Sequence, residues 1–264
     1  MQAKGARSFP DIHCDSHVHT RFCGHATGEM EEYVQAAIRR GLRKIIFLEH
    51  MEEGILSSYK TWLSEEDFDH YFGEGERLQE LYGSRIEIGL GVECGYNAER
   101  ADALRSRLAR RRWDRIGISC HFLKLEGVAE HLNMFSRKAG NVELASRFDP
   151  EMLLDRYFHA LHEAVHQLPG TFVCHLDGAL RHVPKAVLTD GHYRLIDALL
   201  RTVKGKGMAI EVNTSGIPIR GEPFPTRRIL TMALDHGIPL MLGSDAHSPA
   251  EVGRHFTDIA RFIP

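Results

Sequence analysis

A chain of 264 residues with 43% hydrophobic and 26% charged side chains has a globular composition, and its length is close to the ~250 residues of one α/β barrel. The formal charge of -3 offers no basic field for nucleic acid, and no apolar run approaches the ~18 residues that would cross a bilayer. The anomaly is the 17 histidines.

In chain order, a first strand is expected over residues 11–19. There Asp11, His13, Asp15, His17 and His19 share one parity and therefore one face, with His17 and His19 at its end. After a turn at Gly24, His25 can fold back over the same spot. A helix follows over 29–40 with Gly41 at its C-terminal cap, then a buried strand over 44–48 ending in Glu49-His50. Ser64, ahead of Glu65, Glu66 and Asp67, opens a helix that closes near Gly83. A third strand over 85–92 delivers Glu93, and Arg alternating with Ala and Leu over 97–112 predicts an amphipathic surface helix.

The fourth strand, 114–120, delivers His121. From 122 to 149 the pattern lapses, which in a compact chain marks a functional loop or lid, with a short helix around 142–147. Its Glu126, Glu130 and His131 are either solvated or in contact with a cationic or imidazole-bearing substrate. Asp149-Pro150-Glu151 starts a helix reaching Gln167. The fifth strand, 171–174, delivers His175 and Asp177. A helix over 190–203 precedes a sixth strand, 208–212, that ends at Asn213. A last helix over 226–235, closed at Gly237, leads into the seventh strand, 239–243, which delivers Asp245 and His247.

Alternating strands and helices imply a parallel sheet, and the length favours closure into a distorted, TIM-like (β/α)7 barrel, a single domain over residues 1–264. In such a barrel the strand C-termini converge on one face, where the chemistry sits. The convergent set is His17, His19, His25, His50, Glu93, His121, His175, Asp245 and His247. Singly, each has an ordinary structural explanation. Together they cannot all be desolvated without cations to neutralise them. At three or four ligands per ion they support two or three divalent transition metals (zinc, manganese or iron), with Glu93 and Asp245 able to bridge.

Five cysteines, an odd number, argue for a reducing compartment, and the opening Met-Gln-Ala-Lys-Gly-Ala-Arg-Ser-Phe-Pro lacks an apolar signal core, so a cytoplasmic protein is expected. Cys94, Cys120 and Cys174 each neighbour a candidate ligand and are expected to point to the opposite face as buried packing; only Cys23 is kept as a candidate ligand.

These residues resemble the polymerase and histidinol phosphatase (PHP) superfamily of metal-dependent phosphoesterases. The likeness runs through Asp15-x-His17-x-His19-Thr20, Glu49-His50, Gly91-Val92-Glu93, His121-Phe122, His175-Leu176-Asp177 and Gly243-Ser244-Asp245-Ala246-His247. Cys23-Gly24-His25-Ala26, His121-Phe122-Leu123 and Glu211-Val212-Asn213-Thr214-Ser215-Gly216 look most like its histidinol-phosphate phosphatases. The resemblance implies a trinuclear site. His17, His19, Glu93 and Asp245 would hold one ion, Glu93, His121 and His175 a second, and His25, His50 and His247 a third. It also implies hydrolysis of a small phosphomonoester, L-histidinol phosphate, by a metal-bridging hydroxide, with Glu93, Asp245 and His247 catalytic.

Arg181, Arg220 and Asn213 are the expected substrate contacts, the arginine fork matching phosphate oxygens. Arg220 departs from the family pattern by coming later after Gly216. Two alternatives stay open: a PHP phosphoesterase acting on a nucleotide or another small phosphomonoester, and a non-catalytic metal-binding regulatory domain. The oligomeric state is not legible.

Overall fold

Why these segments become strands and helices is visible in how they are buried. The structure, a computed structural model, describes residues 9–182 and 186–264; residues 1–8, most of the opening segment considered above, lie outside them. Strand β1 (Cys14–Val18) leads to α1 (Met30–Arg39), which buries Tyr33, Val34, Ala36 and Ala37 and exposes Glu32, Gln35 and Arg39. Gly41, at φ +73, takes the left-handed turn that ends it. Strand β2 (Lys44–Met51) is buried after its first residue with no alternation, as a strand covered on both faces must be. The Ser64–Asp67 capping box starts α2 (Glu65–Tyr82), and β3 (Glu87–Gly95) follows.

Helix α3 (Ala101–Leu108) is shorter than the 97–112 expected, because the Asn97 side chain caps a separate 3-10 turn first. After β4 (Ile116–Ser119) the segment read as irregular holds a small antiparallel pair, β5 (Phe122–Leu123) with β6 (Leu132–Asn133). It also holds α4 (Ala139–Ala145), which begins before the expected 142–147; Asn141 ties it down by donating to the Asn133 carbonyl at 2.7 Å. Helix α5 (Pro150–Gln167), capped by Asp149, precedes β7 (Phe172–Val173), α6 (Asp190–Gly205) and β8 (Ala209–Asn213). A turn of helix that sequence reading missed, α7 (Ile217–Arg220), comes before α8 (Arg227–Asp235) and β9 (Leu240–Gly243).

The seven-stranded sheet is parallel in the order β1-β2-β3-β4-β7-β8-β9. Its two edges meet where the ligands are. Val18 bridges to Ala246, the Asp245 amide donates to the His17 carbonyl at 2.8 Å, and the His19 amide donates to the Ala246 carbonyl at 2.9 Å. The expected distorted barrel is thus nearly closed, and the closure lies at the strand C-termini. No described helix is long and apolar enough to cross a membrane.

Two expectations are corrected. The first strand does not run from residue 11. The chain turns at Asp11, whose carbonyl accepts from the Cys14 amide, so Asp11 and His13 are exposed, and Asp11 pairs with Arg43. Cys174 does not point away from the site either. It packs inside the barrel with Ile46, Leu48 and Phe172, within 4.8 Å of a ligand atom of His17 and of Glu211. The reason is His175, whose φ of 23 breaks the strand alternation. Cys94 and Cys120 join the main core as expected.

Candidate metal centre

The ends of β1, β2, β4 and β7 deliver histidines to Glu93, at the C-terminal part of β3. Glu93 Oε1 lies 2.8 Å from His175 Nε2 and 3.0 Å from His121 Nε2. Its Oε2 lies 3.0 Å from His50 Nδ1, 3.4 Å from His17 Nε2 and 3.5 Å from His19 Nε2. Asp245 Oδ1 approaches His19 Nε2 at 3.4 Å and His17 Nε2 at 3.8 Å from the other side. Asp245 does so from a left-handed backbone, φ 50. Arg254 stabilises that turn by donating to the Ser244 and Asp245 carbonyls, and Asp15 accepts the Ser244 amide at 2.9 Å.

The histidine rings crowd together. His19 stacks on His50 with centroids 4.2 Å apart, and His247 lies 4.5 Å from both His19 and His25. Candidate ligand atoms fall within 4.8 Å of one another in the sets His17–His19–Asp245, His17–Glu93–His175, His19–His50–His247 and Cys23–His25–His247. All nine expected positions therefore meet at one place. Cys23, kept from the sequence as a candidate, comes with them; burial, with Glu49 nearby, pushes its thiol up to about 12.

Supporting carboxylates lie behind the ligands, and these sequence reading missed. Glu211 Oε1 sits 2.7 Å from His17 Nδ1, while its Oε2 accepts from the His175 amide at 2.7 Å. Glu52 Oε1 sits 2.7 Å from His121 Nδ1. Such outer carboxylates fix the ring orientation and raise the basicity of the opposite nitrogen. Glu49 accepts from both the amide and the hydroxyl of Thr20, at 2.7 and 2.6 Å, and so holds the turn that leads to His25. A signal existed for Glu52, which shares parity with His50 and stands one residue past the end of β2. Glu211 showed itself as a charge inside an otherwise apolar strand and as the head of the Glu211-to-Gly216 motif, and neither pointed to His17.

The electrostatics follow from this crowding. Burial alone would push Glu93 up, but His121, His17, His175 and His50 draw it well below the usual carboxylate range. Asp245 is likewise held low, burial being outweighed by His19, His17 and His247. Burial opposes a charged His17, yet Glu211 and Glu93 lift it well above the usual imidazole value. His121 is raised to about 10 against burial, by Glu93 and Glu52. Burial and the neighbouring imidazoles His50 and His247 depress His19 strongly and bring His25 down to about 3.

Of the expected substrate contacts, Arg181 lies at the centre. Its guanidinium donates to Ser215 Oγ and reaches Asp245 Oδ2 at 3.4 Å, leaving Nε buried with no partner. Arg220 is exposed and donates to the Leu180 carbonyl at 3.0 Å, one residue before Arg181. Asn213 is spent internally: its Oδ1 accepts from the amide and hydroxyl of Ser215, and its Nδ2 donates to Glu211. Within the 122–149 segment, His131 Nδ1 accepts the Leu56 amide and Glu130 accepts the Ser58 hydroxyl, so both clip two loops together. The same segment places Phe135 against His121 and His175, ring centroids 5.1 and 4.7 Å away.

The residues fit metal ions. Both oxygens of Glu93 are buried without a hydrogen bond, as are His19 Nδ1, His50 Nδ1, His175 Nδ1 and His247 Nε2. His17 Nε2 faces His19 Nε2 at 2.9 Å. Orphaned buried acceptors at this density are costly unless cations stand among them.

Comparisons with known proteins agree. The family model described as PHP domain matches residues 15–215, and that described as PHP-associated matches 225–264. A protein named a probable histidinol-phosphatase in Deinococcus radiodurans is 32% identical over 95% of this chain and 92% of its own. A crystal structure assigned as a histidinol phosphatase from Listeria monocytogenes superposes with a TM-score of 0.83 at 21% identity, covering 93% of this chain and 99% of that one. A histidinol phosphate phosphatase from Lactococcus lactis, solved with zinc, L-histidinol and phosphate, gives 0.76 at 21% identity over 94% and 92% of the two chains.

Proposed function

The chain belongs to the PHP domain family, and on that premise we propose that it is a metal-dependent phosphatase that hydrolyses L-histidinol phosphate to L-histidinol and phosphate. The observation that carries the chemistry is Glu93, whose two buried, unbonded oxygens face five imidazole nitrogens. The identity of the substrate rests on the names of the relatives, among them the complex with L-histidinol and phosphate.

His17, His19, Glu93 and Asp245 would hold one ion, Glu93, His121 and His175 a second, and His25, His50 and His247 a third. Mixed nitrogen and oxygen ligands suit zinc, manganese or iron. Divalent ions held there would supply Lewis acidity toward the phosphate and would lower the pKa of water toward neutral pH. Glu93, Asp245 and His247 are the catalytic residues in this reading, since they meet the reacting centre from β3 and from the turn after β9. Because that turn also closes the sheet onto β1, residues 1–264 work as one domain.

Arg181 is the phosphate contact, its unpartnered Nε being free to donate to an ester oxygen. Arg220 contributes through the Leu180 carbonyl it stabilises, and Asn213 through Ser215 and Glu211. The five free cysteines suit a reducing compartment, the cytoplasm.

The test is phosphate release from L-histidinol phosphate measured beside a panel of nucleotide and sugar monophosphates, with protein of known metal content. Preference for L-histidinol phosphate by orders of magnitude is expected. Equal weak hydrolysis across the panel would return the substrate to another phosphomonoester, and no hydrolysis at all would leave a metal-binding domain without turnover.

A further inference from the structure

Resting on the reading that Arg181 receives the phosphate, we propose that Phe135 is a positioning residue that sets how Arg181 is presented to it. Phe135 enters from the segment between β6 and α4, held there by its amide donating to Asn133 Oδ1 at 2.8 Å and by the Met134 amide donating to the His121 carbonyl at 2.8 Å. The Arg181 guanidinium carbon lies 5.8 Å from the Phe135 ring centroid and 5.3 Å from that of Phe224, so two aromatic rings border one cation. Phe224 is fully buried and locked to Asn213 by backbone hydrogen bonds in both directions. Phe135 is only half-buried, and the 122–149 segment reaches Arg181 through it.

A glycine makes the seat. Arg181 ends the 3-10 turn Gly178–Arg181, and a Cβ at Gly178 would lie 2.5 Å from Phe135 Cε1. The ring therefore rests on the start of the turn that carries the arginine, as well as beside the guanidinium itself. Ser215 and Asp245 occupy one terminal nitrogen, and the aromatic rings limit where the plane can turn, leaving the buried Nε edge for an anion. Phe135 also touches His121 and His175, so the rival role is a brace for two metal ligands.

The experiment uses the full, metal-loaded chain with Phe135→Leu, Phe135→Tyr, Arg181→Ala and the Phe135→Leu/Arg181→Ala double variant. It reads KM and kcat for a hydrolysed phosphomonoester, competitive inhibition by inorganic phosphate, and metal content. Phe135→Leu is expected to raise KM and the phosphate inhibition constant together by about tenfold, the scale of one desolvated cation–aromatic contact. Metal content and kcat should hold, Phe135→Tyr should restore both constants, and the leucine should add nothing once Arg181 is alanine. Loss of metal with falling kcat would overturn the proposal in favour of the brace, and so would an equal effect in the Arg181→Ala background. Phosphate inhibition that Phe135→Leu leaves unchanged overturns this proposal alone, whereas a wild type that neither hydrolyses any ester nor binds phosphate overturns the phosphatase reading with it.

Discussion

Glu211 Oε1 stands 2.7 Å from His17 Nδ1, on the side of the ring opposite the nitrogen that faces Glu93. With both groups fully buried, the carboxylate decides which ring nitrogen carries the proton and so keeps Nε2 free to bind a cation. Glu211→Gln keeps the size but loses the charge. Metal affinity should fall about 10- to 100-fold, by the scale of outer-carboxylate losses, read by competition with a chelator of known affinity. Unchanged affinity would reduce Glu211 to packing.

The same arrangement recurs at Glu52 and His121, and here a glycine makes room for it. A Cβ at Gly95 would lie 1.9 Å from Glu52 Oε1, so alanine there must expel the carboxylate from its 2.7 Å contact with His121. Gly95→Ala should cost about 1–3 kcal/mol of stability, as overpacking does, and weaken metal retention as well. Denaturant unfolding gives the first and metal content after dialysis the second. Stability lost with metal content intact would mean that Glu52 does not orient His121.

Much of this centre was legible in the chain because parallel strands are short, largely apolar runs that stop at polar residues; Glu93 and His121 sit one step beyond such a run, and His50 and Asp245 two steps beyond, after Glu49 and Ser244. The expected α5 start and end match the structure, since Asp149-Pro150 gives an unambiguous cap. What escaped was set by contacts distant in sequence. His17 meets Glu211 across 194 residues, and no local period announces it. The β5–β6 pair is two residues per strand, too short for alternation to register, and the bend at His175, whose amide donates to Glu211, swings its side chain to the face that Phe172 and Cys174 already share.

Removing the metal should be felt in stability as well as activity. Without cations, Glu93 and Asp245 are held low by the imidazoles around them, of which His17 and His121 favour the charged form, while His19 and His25 resist protonation through burial and their imidazole neighbours. Bound ions would instead be neutralised by the carboxylates and bind every ring in its neutral form. Exhaustive chelation is expected to lower the unfolding temperature, and restoring zinc or manganese to recover it, because ligands that bind only the folded chain stabilise it by mass action. A melting curve indifferent to chelator would remove the metal centre from the account.

Arg181 and Arg220 separate by what each touches. Arg181 reaches Asp245 Oδ2 at 3.4 Å with a buried, unpartnered Nε, whereas Arg220 is exposed and donates to the carbonyl of Leu180. Deleting a charge-assisted contact to phosphate costs about 1.5–3 kcal/mol, so Arg181→Ala should raise KM about 10- to 100-fold. Arg181→Lys should recover only part of this, because a point charge cannot reproduce the fork. Arg220→Ala removes one hydrogen bond that steadies the turn ahead of Arg181, so its KM should rise by about tenfold or less. Steady-state kinetics on the three variants decides. If Arg220→Ala equals or exceeds Arg181→Ala, the phosphate is met from α7 and the two arginines exchange roles.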